Sequence, residues 1–213
     1  MTNPKLHHYV PQFYLRRFTD SNGRLWIWDR DGDRVFPTRP GSVAAESDFY
    51  FVRELAEQGY DPLMIESQFA DLESDVSAVT SDWLDWIRNG EPGDVLPVPD
   101  ANRQAVSLFL VLQFLRTADA RSKLADSAKA AGNTLDSDED RRALHTDMLW
   151  KTDELIFPLA KRVESSTWLF GRNATSASFI TSDNPVAWRT ADNRMWLKAA
   201  ITMEGTYIVP PRS

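Results

Sequence analysis

The sequence contains no cysteine. That excludes disulfides, thiolate metal sites and a cysteine nucleophile, and it fits a reducing compartment. Long apolar runs are missing too. The most apolar stretch, Leu108 to Leu112, falls far short of the ~20 residues that span a bilayer. The opening residues, Met1-Thr2-Asn3-Pro4-Lys5-Leu6, lack the apolar core of a signal peptide. A cytoplasmic protein without a membrane association is therefore expected. Nor is there a basic surplus, since 24 Lys and Arg face 31 Asp and Glu for a net charge of −7. A non-specific nucleic-acid binder usually shows the opposite balance, so the chain carries no strong nucleic-acid charge signature. Contact with phosphate would rest on a local cluster of arginines. The phosphate-loop, dinucleotide-binding and zinc-peptidase motifs are all lacking, and Ser182 sits in no glycine-framed elbow.

What is present suffices for a folded core. Hydrophobic residues make up 42% of the chain, with 8 Trp and 11 Phe among them. Its 213 residues suit a single domain, read here as 1–213. N-terminal strands are expected within 1–55, a helical middle at 61–164 and C-terminal strands at 167–210. Leu25-Trp26-Ile27-Trp28 and Arg34-Val35-Phe36 flank the turn signal Asp31-Gly32 and read as a hairpin. Asp48 to Val52, aromatic and β-branched, reads as a further strand.

Asp61 and Pro62 then mark a helix start. Ile65, Phe69, Leu72, Val76, Val79, Trp83 and Trp86 follow in steps of four and three, a sustained apolar stripe. Asn89-Gly90 resembles a left-handed cap. The proline-rich segment from Glu91 to Pro99 is a linker. Asp100 is expected to cap a second helix, buried on most sides from Val106 to Leu115, with a polar tail running to Gly132-Asn133. Ser137 and Asp140 form a capping-box pattern before a third helix that runs through Leu144, Met148 and Leu149 until Pro158 perturbs it. Short segments at Thr167–Phe170, Ser178–Thr181, Ala187–Arg189, Met195–Leu197 and Thr206–Val209 read as strands. This order predicts an α+β fold, with long central helices packed against a mainly antiparallel sheet formed by N- and C-terminal strands.

The candidate chemistry is dispersed. His7 and His8 are adjacent, so their side chains diverge and they are poorly placed to ligate one ion together. One could be a ligand or general base while the other makes a structural hydrogen bond, or both could simply pack in an ordered arm. His145, in a charged helical context, reads as solvated. Glu66 and Glu73 share a helix face roughly 10 Å apart. Each flanks the apolar stripe, where a half-buried carboxylate or a solvated edge residue would sit. Gln113 and Arg116 border the most apolar helix. A buried arginine there needs a carboxylate, phosphate or carbonyl partner, for which Glu66, Glu73 and Asp183 are candidates. Thr181-Ser182-Asp183-Asn184-Pro185 is either a structural turn or an acidic residue presented at a strand end.

Several of these segments also carry a resemblance. His7-His8-Tyr9-Val10-Pro11-Gln12-Phe13-Tyr14-Leu15-Arg16-Arg17-Phe18, Asp48-Phe49-Tyr50, Ile65-Glu66, Gln113-Phe114-Leu115-Arg116-Thr117 and Phe179-Ile180-Thr181-Ser182-Asp183-Asn184-Pro185-Val186 resemble the signature of domain-of-unknown-function family 4238, a group of mainly bacterial proteins. The resemblance spans nearly the whole chain. It implies one shared site from the matching polar positions His7, His8, Gln12, Arg16, Glu66, Arg116, Ser182, Asp183 and Asn184. It does not imply an activity.

The residues themselves suggest a hydrolase of a phosphodiester or related polar substrate. His8, Glu66 and Asp183 would act as base or hold a divalent cation of unassigned identity. Arg16 and Arg116, aided by His7, Gln12, Ser182 and Asn184, would bind a phosphate-containing ligand. A nuclease-like role in bacterial defence or toxin systems would suit such a protein by analogy. The alternative is a non-catalytic binding module for a protein or nucleotide, in which the same residues form a polar core.

Overall fold

The apolar stripe after Asp61 becomes one long helix, and the other helices and the opening segment pack around it. In the computed structural model, which describes residues 6–51, 57, 59–61, 63–189 and 207–208, this helix, α2, spans Met64–Asn89. At 1.5 Å per residue it is ~39 Å long. Ile65, Phe69, Val76 and Trp83 are buried along it, while Leu72 and Val79 are half-buried at the edges of the stripe. Trp86, at the far end, is 49% exposed, so the buried face stops at Trp83, nearly two turns before the helix does. Asp61 acts just upstream of the helix, where its Oδ1 accepts the Leu63 N–H at 2.9 Å. Gly90 ends the helix in an extended conformation (φ −84°), not as a left-handed cap.

Before α2 come β1 (Leu6–His8), α1 (Gln12–Leu15) running into a 3-10 turn at Arg16–Phe18, β2 (Leu25–Asp29), β3 (Arg34–Thr38) and β4 (Ala45–Ser47). β2 and β3 form the expected hairpin, with Trp28 opposite Val35. The strand expected at Asp48 to Val52 lies earlier, as β4. Asp48 has φ +55°, which turns the chain out of the ladder. Phe49 and Tyr50, each 1% exposed, follow in that turn and drop into the core. Val52 lies outside the described residues.

After the linker, α3 spans Asp100–Leu115 and α4 spans Ala118–Ala130. A single helix to Gly132 was the expectation. The chain breaks instead at Arg116-Thr117, because Thr117 leaves helical geometry (ψ 160°) and its hydroxyl accepts the Ala120 N–H at 3.2 Å. α5, Asp138–Trp150, begins with the Ser137–Asp140 capping box foreseen in the sequence. A π-type turn at Thr152–Ile156 then widens the chain ahead of α6, Phe157–Ser165. Pro158 falls in the first turn of α6, where its missing N–H is harmless. The main core joins α2, α3, α5 and α6 through Phe69, Val111, Leu115, Met148, Ile156 and Leu159, with Phe49 and Tyr50 inserted from the turn.

The fold is α+β, but the strands do not build one sheet. Among the described residues there are separate two-stranded antiparallel ladders, β1 with β4, β2 with β3, and β5 (Trp188–Arg189) with β6 (Tyr207–Ile208). The N- and C-terminal strands therefore share no sheet there. Thr167–Phe170 and Ser178–Thr181 are irregular rather than strands. Trp168 instead packs its ring on Trp83 and beneath the Arg103 guanidinium. Leu169, Phe179 and Ile180 remain exposed. Met195–Leu197 lies outside the described residues. Among those residues, no helix is long and apolar enough to cross a membrane.

Candidate functional site

β1 sets the geometry of the opening signature. Successive side chains on a strand point to opposite faces. His7, paired with Glu46 across the ladder, is wholly buried. His8 is half-buried on the other face. The Tyr50 N–H donates to His7 Nδ1 at 3.0 Å. That places the ring proton on Nε2, which lies 2.9 Å from Glu66 Oε2 in the first turn of α2. Tyr50 also stacks on the His7 ring at 5.8 Å. His7 thus ties β1, the Tyr50 turn and α2 together.

Arg116, at the end of α3, is the largest fully buried side chain among the described residues. Its Nη1 meets Glu73 Oε1 at 2.7 Å. Nε and Nη2 both donate to Gln113 Oε1, at 3.0 and 2.8 Å. The Phe69 ring lies 4.9 Å from the guanidinium carbon. Gln113 Nε2 in turn donates to the Tyr9 carbonyl at 2.9 Å, which fixes the opening segment on α3. The Tyr50 hydroxyl donates to the Arg116 carbonyl at 3.3 Å. Burial pushes the Tyr50 phenol well above its usual range, so it stays protonated as that donor.

Between the opening segment and α2 runs a groove of about 610 Å3. His8, Gln12 and Arg16 line one wall, and Glu66, Glu73 and Ser77 line the other. Gln12 and Arg16 lie one helical turn apart, and Arg16 Nη2 donates to Gln12 Oε1 at 3.2 Å. The His8 Nε2 is enclosed and has no hydrogen-bond partner among the described residues. Glu66 and Glu73 keep 26% and 24% of their side chains exposed, although each has a buried partner behind it.

The groove thus unites His8, Gln12, Arg16 and Glu66, while His7 and Arg116 stand behind its wall. The Ser182-Asp183-Asn184 turn is elsewhere, and none of its residues lines the groove. Ser182 Oγ donates to the Asn184 carbonyl at 3.0 Å and accepts the Asn184 N–H at 3.1 Å, a local turn. Asp183 is exposed. The turn still meets the opening segment, but through tyrosines. Thr181 Oγ1 lies 2.9 Å from the Tyr14 hydroxyl. The Tyr9 phenol is raised by burial and next by the charge of Asp183.

Sequence reading overlooked two participants. Arg17 reaches α2, where its Nη2 donates to Thr80 Oγ1 and Ser81 Oγ, at 3.0 and 3.1 Å. Neighbouring Ser and Thr on α2 were the available signal. His145 is not solvated. It is wholly buried, its Nε2 lies 2.8 Å from the Leu115 carbonyl, and burial lowers its pKa to about 4. Its neighbours at i+3 and i+4, the apolar Met148 and Leu149, marked that face. Among the described residues, no group of three His, Asp or Glu side chains could hold a metal ion.

These features define an α+β protein with a polar groove between its opening segment and its longest helix, backed by a buried arginine and a buried histidine. The family model described as Protein of unknown function (DUF4238) matches residues 6–210, so the chain belongs to that family. No curated protein and no solved structure matches it.

Proposed function

We propose that this groove binds a phosphate-bearing substrate and hydrolyses a phosphodiester or related polar bond, with His8 as general base. One observation carries the reading. His8 lines a groove that also holds Arg16, Gln12 and the Glu66 carboxylate, and its Nε2 has no hydrogen-bond partner among the described residues. A buried polar atom without a partner is a group that a bound water or substrate atom satisfies. Imidazole is the side chain best suited to move a proton near neutral pH.

Arg16 offers a planar fork to two phosphate oxygens, and Gln12 steadies it from one turn away. With its proton on Nδ1, His8 accepts a proton at Nε2 from water as the water oxygen attacks phosphorus. The leaving alkoxide takes a proton from the imidazolium or from solvent. Glu66, steadied by His7, stabilises the imidazolium that forms. The Glu73 charge on the wall is already balanced by the buried Arg116 behind it. This reading places the activity in the cytoplasm and requires no bound ion.

The second reading, a non-catalytic binding module, is favoured by the engagement of Glu66 and Glu73 with His7 and Arg116. The two readings separate in one assay. Hydrolysis of bis(4-nitrophenyl) phosphate and of a short single-stranded oligonucleotide is measured with purified protein and with folded His8→Gln and Arg16→Gln variants. Turnover that falls at least ~100-fold in His8→Gln, the usual scale for losing a general base, supports the hydrolase. No turnover by the parent protein, or equal turnover by His8→Gln, rejects it.

A further inference from the structure

A second cleft lies between α4, α5 and β4. It is a cavity of about 250 Å3 and shares no lining residue with the groove. Its walls carry Arg121, Lys129, Arg141 and Arg142. Arg121 is preorganised. Its Nη2 meets Glu46 Oε2 at 2.6 Å, and its guanidinium lies 4.1 Å over the Phe49 ring. Only 18% of its side chain is exposed. Arg141 is held at Nη1 by Asp138 Oδ1, 3.4 Å away. The Arg141 Nε, however, is buried with no hydrogen-bond partner among the described residues. Closing a guanidinium N–H off from water without an acceptor is unfavourable, so an acceptor is called for there.

The remaining charges point to the same kind of ligand. Glu46 and Asp138 each answer one arginine. Lys129 and Arg142 line the cavity without an ion pair to any described residue, and Asp126 is the one further carboxylate on the wall. The four cations less the three carboxylates of the lining leave +1. A cavity of this size lies below the roughly 300–1,000 Å3 of pockets that take larger organic ligands, which favours a compact anion.

We propose that this cavity is a binding site for a phosphate group, carried by inorganic phosphate or by a phosphate monoester. Arg121, Arg141, Arg142 and Lys129 are its donors. Guanidinium forks match pairs of phosphate oxygens. Asp126 adds selectivity. An ionised carboxylate only accepts hydrogen bonds, so it accepts the O–H of hydrogen phosphate or of a singly protonated monoester but repels sulfate, which has no proton to give at neutral pH.

The test is calorimetric titration of the full chain with inorganic phosphate, methyl phosphate and sulfate, repeated on Arg142→Gln, Lys129→Gln, Asp126→Asn and Arg16→Gln. Circular dichroism checks that each variant is folded. The expected result is saturable phosphate binding that weakens about tenfold or more in Arg142→Gln, as loss of one charge-assisted contact requires. Lys129→Gln, at an exposed position, should weaken it in the same direction and stands in if Arg142→Gln fails to fold. Sulfate should bind more weakly than phosphate, and Asp126→Asn should narrow that gap. Methyl phosphate binding as well as inorganic phosphate identifies a monoester site, whereas weaker binding identifies a site for the free ion. No saturable phosphate binding in the millimolar range overturns the proposal. So does binding that survives both Arg142→Gln and Lys129→Gln but is lost in Arg16→Gln, because the anion then occupies the groove.

Discussion

Arg116 and Glu73 stand 2.7 Å apart and join the end of α3 to the middle of α2. The arginine is 2% exposed and the glutamate 24%. Breaking such a pair leaves the partner charge poorly solvated, and Gln113 Oε1 also loses its two donors. Arg116→Met should destabilise the fold by about 3 kcal/mol, the low end for a buried pair because Glu73 keeps some water. Urea unfolding measures this. A double-mutant cycle with Glu73→Gln should return a coupling above about 1 kcal/mol, and additive losses would show that the pair is not coupled.

Phe69 lies under the Arg116 guanidinium and meets the Tyr50 ring edge-on at 5.3 Å. It is 8% exposed. Phe69→Ala removes a packed ring from between α2, α3 and the Tyr50 turn, and should cost about 3–5 kcal/mol. A loss under about 1 kcal/mol in chemical unfolding would mean that this face of α2 is not part of the core.

Adjacent histidines should behave as opposites. His7 satisfies the Tyr50 N–H and contacts Glu66, so His7→Ala leaves a buried donor unmatched and should cost about 2–3 kcal/mol. His8 has no hydrogen-bond partner to lose among the described residues, so His8→Ala should cost less than about 1 kcal/mol. Under the proposed function, His8→Ala abolishes turnover while remaining folded. Thermal unfolding of the two variants checks the contrast, and equal losses would contradict the placement of the two rings.

His145 should make the protein acid-sensitive. Burial lowers its folded-state pKa from 6.5 to about 4. The unfolded chain binds a proton below about 6.5 that the folded chain refuses until about 4. Stability from this group is therefore complete above pH 6.5 and declines as pH falls toward 4. The full loss is about 3 kcal/mol, from roughly 1.4 kcal/mol per pKa unit. The measurement is unfolding free energy of the parent and His145→Gln between pH 4 and 7. The difference between them should shrink with acidification, and a constant difference would reject the buried neutral imidazole.

The sequence by itself determined the local grammar. The four-and-three spacing from Ile65 to Trp83 dictates a helix with one buried face, and Ser137 with Asp140 dictates where α5 starts. Asp31-Gly32 between aromatic strands dictates the hairpin. These rules act over a few residues, so a short window of sequence contains them. The position of Arg116 beside the most apolar helix likewise announced a buried cation, because no guanidinium enters a core without an anion. Tertiary structure alone decided the rest. Whether Arg116 met Glu66, Glu73 or Asp183 depended on how α3 crosses α2, since carboxylates two turns apart look alike in sequence. That His7 rather than His8 is the buried one came from pairing β1 with β4, which buries one face of a strand only three residues long. The extended reading gave way at Asp48 to Tyr50 because a positive φ at Asp48 let Phe49 and Tyr50 fill a space that the helices had left. Burial is a property of the whole assembled chain, and it outweighed local preference at Phe49, Tyr50 and His145.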